Sequence, residues 1–201
     1  MMRKTSLFVL LLACDRGSSR AALGEKDPSQ SNGSGSLVED TAVEQFTGPA
    51  EAERDRLFSE EELPVFEIWI EEDAFDDLLD EPYEYVRATL AYDDVTYENI
   101  AIRTKGENSW QAIDEKASLK IDLNHYDDGP GDVLGLQKIT LNAMNEDYSM
   151  MHERVGYRMF REAGVPAARA THALVYLNDE FYGLFTHLES VDDNMLGRWF
   201  D

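Results

Sequence analysis

Apolar and polar positions divide the chain into three regimes. Behind Arg3 and Lys4, residues Leu7 to Leu12 form an unbroken apolar run that ends at Ala13. From Asp15 to about Glu62 no hydrophobic period persists. From Leu63 onward the pattern becomes periodic, and folded structure is expected there.

Residues 65–70 (VFEIWI) are β-branched and aromatic, which predicts a strand. Residues 71–79 place Phe75, Leu78 and Leu79 on one helical face, with Glu71, Glu72 and Asp73 in the first turn, where the helix dipole favours acids. Asp76, Asp77 and Asp80 then form its solvated face rather than a metal site. Residues 85–92 and 95–104 alternate, and Asp93-Asp94 between them suits a tight hairpin turn. A strand is predicted over 117–123, with Leu119, Ile121 and Leu123 on one side and Ser118, Lys120 and Asp122 on the other. The acidic loop 124–132 (NHYDDGPGD) lacks the spacing of an EF-hand. Another short strand is predicted over 137–142.

Residues 149–163 give the clearest helical signal. Met151, Val155 and Met159 recur every fourth position with Phe160 beside them, so this face is expected in the core. Gly164 fits a C-terminal cap, with Pro166 beyond it. A second hairpin is expected over 173–177 and 181–188, around Asn178-Asp179, and a last helix from Asp192. Strands mix with helices through mostly antiparallel connections, which is an α+β domain.

Composition changes the picture in two places. Hydrophobic residues make up 43% of the chain, enough for a core, while 41 acidic against 18 basic residues leave a formal net charge of -23. That charge argues against a nucleic-acid partner, because phosphate contacts need clustered Lys and Arg. It also argues against simple electrostatic docking to anionic lipid. It reads first as a solubility device, with an acidic cation-binding envelope protein as a further reading. The single cysteine, Cys14, excludes an intramolecular disulfide.

Cys14 stands directly behind the apolar run, which is the shape of a secretory signal and too short to span a bilayer. The tetrapeptide Leu11-Leu12-Ala13-Cys14 resembles the lipobox of bacterial lipoproteins. That resemblance implies lipidation of Cys14, cleavage before it, and a membrane partner through the lipid anchor, with at least two acyl chains for firm attachment. Localisation is then the cell envelope. Asp15 resembles an inner-membrane retention signal, which would place the protein on the periplasmic face. Residues 1–13 are the signal, 14–62 a flexible acidic and Gly/Ser-rich tether, and 63–201 the folded domain. A short helix is expected near 51–58.

Six segments of the folded part, in order, resemble the CotH family of spore-coat protein H-like atypical protein kinases. They are Ile102-Arg103-Thr104-Lys105-Gly106, Lys116-Ala117-Ser118-Leu119-Lys120, Leu141-Asn142 with Asp147-Tyr148-Ser149, Ala163-Gly164-Val165-Pro166-Ala167, the hairpin Tyr176-Leu177-Asn178 with Tyr182-Gly183-Leu184-Phe185, and Glu189-Ser190-Val191-Asp192. His152 departs from an arginine frequent in the family, and is either a hydrogen-bonding substitute or a helix-surface residue. Asp179 replaces a glycine.

The resemblance implies the front portion of an atypical protein-kinase fold, incomplete at its C-terminal side. It implies an ATP-dependent protein Ser/Thr kinase using ATP and Mg2+ on a protein substrate. Its metal-binding and catalytic aspartates would lie downstream of Asp201, so no catalytic or metal-ligating residue is named within the chain. For cofactor binding it points to Lys116 as the phosphate-contacting lysine and Glu189 as its ion-pair partner, with Arg103, Lys105 and Gly106 near the phosphates. Lys116 and Glu189 also have plain readings, as an exposed strand lysine and an acid at a strand end. Asp147 reads as a helix cap rather than a metal ligand. The alternative is a non-catalytic surface lipoprotein that serves as a binding or structural module. No zinc spacing and no nucleophile elbow compete with these readings.

Overall fold

The computed structural model describes residues 49–200. The signal, Cys14, Asp15 and most of the tether lie outside the described residues. The elements are α1 (Pro49–Arg56), β1 (Val65–Trp69), α2 (Glu72–Asp80), β2 (Val86–Tyr92), β3 (Val95–Lys105), β4 (Ser118–Asp122), β5 (Lys138–Asn142), α3 (His152–Glu162), β6 (Ala170–Leu177), β7 (Glu180–Leu188) and α4 (Asp193–Phe200). Among the described residues no helix is long and apolar enough to cross a membrane.

The strands close into a barrel in the order β1-β2-β3-β4-β5-β7-β6. Neighbours pair antiparallel, except that β1 runs parallel to β6, with Phe66 opposite Val175. The α+β expectation therefore holds coarsely and the sheet is mostly antiparallel as expected, but the expected packed-helix, kinase-like arrangement is corrected to a mixed sheet closed into a barrel with a few helices. Among the described residues, closure leaves no exposed sheet edge. The closing partners stand more than a hundred residues apart in sequence, so no local pattern announces them.

Alternation builds the core. Phe66, Ile68, Leu90, Ile100, Ile102, Leu119, Ile121, Leu141, Val175 and Phe185 are buried inside the barrel wall. Two hairpins turn through non-glycine residues with positive φ, Asp93 (53°) with Asp94 (63°) and Asn178 (50°) with Asp179 (67°). Left-handed φ at both central positions matches the twist of the flanking strands. Asn178 also bonds the Ile70 backbone, accepting its N–H at 2.8 Å and donating to its carbonyl at 3.1 Å.

The folded part reaches into the stretch read as tether. Leu57 is fully buried, and Phe58 stacks on the His187 ring at 4.5 Å between centroids. Two isolated apolar residues in a polar run were enough to dock that strap, too few to produce a period.

Helix α3 differs most from expectation. Its C-terminus is the expected cap: Gly164 has φ +74°, Val165 N–H donates to Phe160 O and Gly164 N–H to Arg161 O. Its apolar face, however, is not in the core. Met151, Val155, Met159 and Phe160 are 40–64% exposed. The helix turns polar groups to the barrel instead. Arg154 lies 3.3 Å from His172 Nδ1, Arg161 donates to Ala168 O, and Glu153 accepts from Asn142.

Candidate functional site

Strand β3 places Thr104 inside the barrel and Arg103 and Lys105 outside. Lys105 stands opposite Ser118 of β4, and Leu119 opposite Leu141 of β5. The ends of these three strands therefore bring Lys105, Ser118 and Asn142 together. The backbone then leaves β5 through a loop with two left-handed non-glycine residues, Met144 (φ 56°) and Met150 (φ 54°), and enters α3. Between these parts lies a cavity of about 350 Å³ lined by Lys105, Gly106, Asn142, Asp147, His152 and Glu153, among others.

A polar chain crosses its floor. The Lys105 ammonium donates to Asn142 Oδ1, and Asn142 Nδ2 donates to Glu153 Oε1 at 2.7 Å. Glu153 Oε2 is buried without a partner among the described residues. Burial pushes the Lys105 ammonium below its ordinary range, partly offset by Glu153. A desolvated cation with donors to spare, and a buried carboxylate oxygen lacking one, form an arrangement a polar ligand would complete. Gly106 closes one side. Its φ is +120°, and a Cβ there would stand 3.2 Å from the Trp110 nitrogen, so the chain approaches closely only as glycine. Tyr83 holds the turn by donating to Gly106 O at 2.9 Å.

At the mouth, Asp147 gathers the start of α3. Its Oδ2 accepts the His152 backbone N–H at 2.8 Å, and its Oδ1 accepts from the Ser149 hydroxyl at 2.6 Å. The expected capping role is what the geometry has. The Ser149 hydrogen bond is the chief reason the Asp147 carboxyl is held down at about 2.

Residues 102–200, from within β3 through α4 and so including this cavity, match the family model described as CotH kinase protein. The chain carries a CotH-family segment. No curated protein matches the chain.

Of the expected cofactor-binding residues, the CotH segment brings Lys105 and Gly106 to the cavity and places the other three elsewhere. Arg103 lies over the Tyr85 ring at 5.2 Å and donates to Thr104 O. Lys116 runs its stem over Gly183, where a Cβ would come within 2.7 Å of its Cε, and donates to Ala143 O at 2.8 Å. Its ammonium is also lowered by burial and stands 5.0 Å from the Phe185 ring.

Glu189 is not the ion-pair partner of Lys116. It is 3% exposed and is bound by Arg198 at 2.6 Å and Arg169 at 2.9 Å. Burial pushes this carboxyl up, but hydrogen bonds from Arg198 and Arg169 outweigh it and leave it lowered. The plain reading of an exposed acid at a strand end is corrected with it. His152 satisfies both of its alternatives: its side chain is 83% exposed, and its Nδ1 lies 2.7 Å from Asp147 Oδ1.

Asn142 and Glu153 are the site residues that sequence reasoning missed. Asn142 ends a strand within a family-like segment, which was a signal. Glu153 carried none, because a glutamate in a first helical turn is ordinary.

Proposed function

We propose that this chain is the nucleotide-binding front portion of a CotH-type ATP-dependent protein Ser/Thr kinase, exported and lipid-anchored through Cys14. The observation that carries the reading is the Lys105–Asn142–Glu153 chain in the cavity. In phosphoryl transfer a lysine neutralises phosphate charge, and an acid on a neighbouring helix fixes it. Lys105 on β3 would contact the phosphates, and Glu153 on α3 would orient it through Asn142. Gly106 would let backbone approach the ligand.

These residues fit a triphosphate. They do not form a metal cage: among the described residues no group of three His, Cys, Asp or Glu side chains is placed to hold a metal ion. The alternative is an envelope binding module that holds a nucleotide without transferring its phosphoryl group.

Calorimetric titration of the full chain with ATP, with and without Mg2+, tests the site. Binding lost in Lys105→Ala, with the circular dichroism spectrum unchanged, is expected. Equal ATP binding by the variant would remove Lys105 from the site, and no ATP binding by the folded wild type would remove the nucleotide reading. Phosphate transfer to an added protein separates kinase from binding module. Labelling with a radioactive fatty acid in a bacterial host tests the anchor, and label surviving in Cys14→Ser would refute it.

A further inference from the structure

Asp147 and His152 form a carboxylate–imidazole pair at the mouth of the cavity that holds Lys105. His152 Nδ1 stands 2.7 Å from Asp147 Oδ1, while Oδ2 takes the His152 backbone N–H at 2.8 Å. The same carboxylate is tied to the Ser149 N–H at 3.0 Å and hydroxyl at 2.6 Å. Ring and backbone of His152 are thus fixed by one anchored group. The other ring nitrogen, Nε2, makes no hydrogen bond among the described residues, and the side chain is 83% exposed. A carboxylate acceptor at Nδ1 keeps a proton there, so any exchangeable proton belongs to Nε2.

We propose that His152, oriented by Asp147, is a proton-dependent phosphate contact of this cavity. This deepens the nucleotide reading and rests on it. With Nε2 bare, the ring turns a lone pair toward phosphate oxygens, which are themselves acceptors. With Nε2 protonated, the ring offers a charge-assisted N–H. Phosphate therefore binds the protonated ring, so binding is coupled to protonation of Nε2. Charged groups of both signs line the cavity beside it. Asp147 and Glu146 of the loop and Glu153 of α3 are the anionic groups lining the cavity with the ring, and Lys105 of β3 is the cationic one. His152 is a binding group in this scheme, not a catalytic residue, and no bond is made or broken.

The test is calorimetry of the full chain at neutral pH in buffers of different ionisation enthalpy, with ATP and separately with inorganic tripolyphosphate. Wild type is expected to take up a fraction of a proton per ligand, and its affinity to rise by up to about tenfold per unit of falling pH. His152→Gln should bind several-fold more weakly with no uptake, and His152→Arg tightly with no uptake. Because the side chain is exposed, both variants should fold. Wild-type proton uptake persisting in His152→Gln would overturn the proposal. Tripolyphosphate bound with uptake that His152→Gln abolishes, but no binding of ATP, would keep this contact and remove the nucleotide reading. Binding of neither ligand by the folded wild type would overturn both.

Discussion

His187 sits in the barrel wall with no exposed surface, face to face with Phe58 and edge-on to Phe66 at 5.4 Å. Its Nδ1 lies 3.2 Å from Leu57 O, and Nε2 is buried without a partner among the described residues. Burial, helped by the nearby Arg169 and opposed by the Leu57 carbonyl and Glu189, lowers this imidazole to about 4. The unfolded chain takes up the proton near 6.5, the folded chain only near 4. The contribution of His187 to stability is therefore complete above pH 6.5, falls as the pH drops from 6.5 to 4, and is flat below. At about 1.4 kcal/mol per pH unit the loss is about 3 kcal/mol, a large share of a typical domain's stability. Protonation would place a charge beneath the Leu57–Phe58 strap, so the strap should loosen first.

Urea unfolding followed by tryptophan fluorescence at pH 7.5, 6.5, 5.5 and 4.5 measures this. His187→Phe keeps a flat ring against Phe58 and removes the titrating group. Wild type should lose about 3 kcal/mol more than the variant between the extremes. Parallel stability curves for the two proteins would show that the buried imidazole does not govern acid sensitivity, and the reasoning from burial would fail.

Two further outcomes follow from packing. Gly156 lies mid-helix in α3 and a Cβ there would meet nothing within 4 Å, so Gly156→Ala should raise stability by about 1 kcal/mol in the same urea assay. Glu189→Gln should cost about 3 kcal/mol, because it leaves Arg169 and Arg198 around a neutral amide in a largely buried place; a loss near zero would mean that solvent already screens the cluster.

The local chemistry of the chain sufficed for its elements. Alternation marked the strands, Asp93-Asp94 and Asn178-Asp179 marked hairpins whose backbones are left-handed, and Gly164 marked the end of α3. These signals are legible because neighbours in sequence make the hydrogen bonds concerned. The motif residues Lys105 and Gly106 also stood where the cavity formed.

What tertiary structure decided involves partners far apart in the chain. Periodicity showed that α3 has an apolar stripe but not which side the barrel would take. Hydrogen bonds that pair Glu153, Arg154 and Arg161 with Asn142, His172 and Ala168 hold its polar side inward and leave Met159 outward. Lys116 and Glu189 both stood in family-like segments, yet two arginines reach the carboxylate and a backbone carbonyl takes the ammonium. The Lys105–Glu153 relation exists because Asn142 ends a strand registered beside β4 and faces the first turn of α3. The sequence determined the pieces through short-range sterics and alternation. Only the closed barrel, by fixing which strand ends meet, decided which charges share a site.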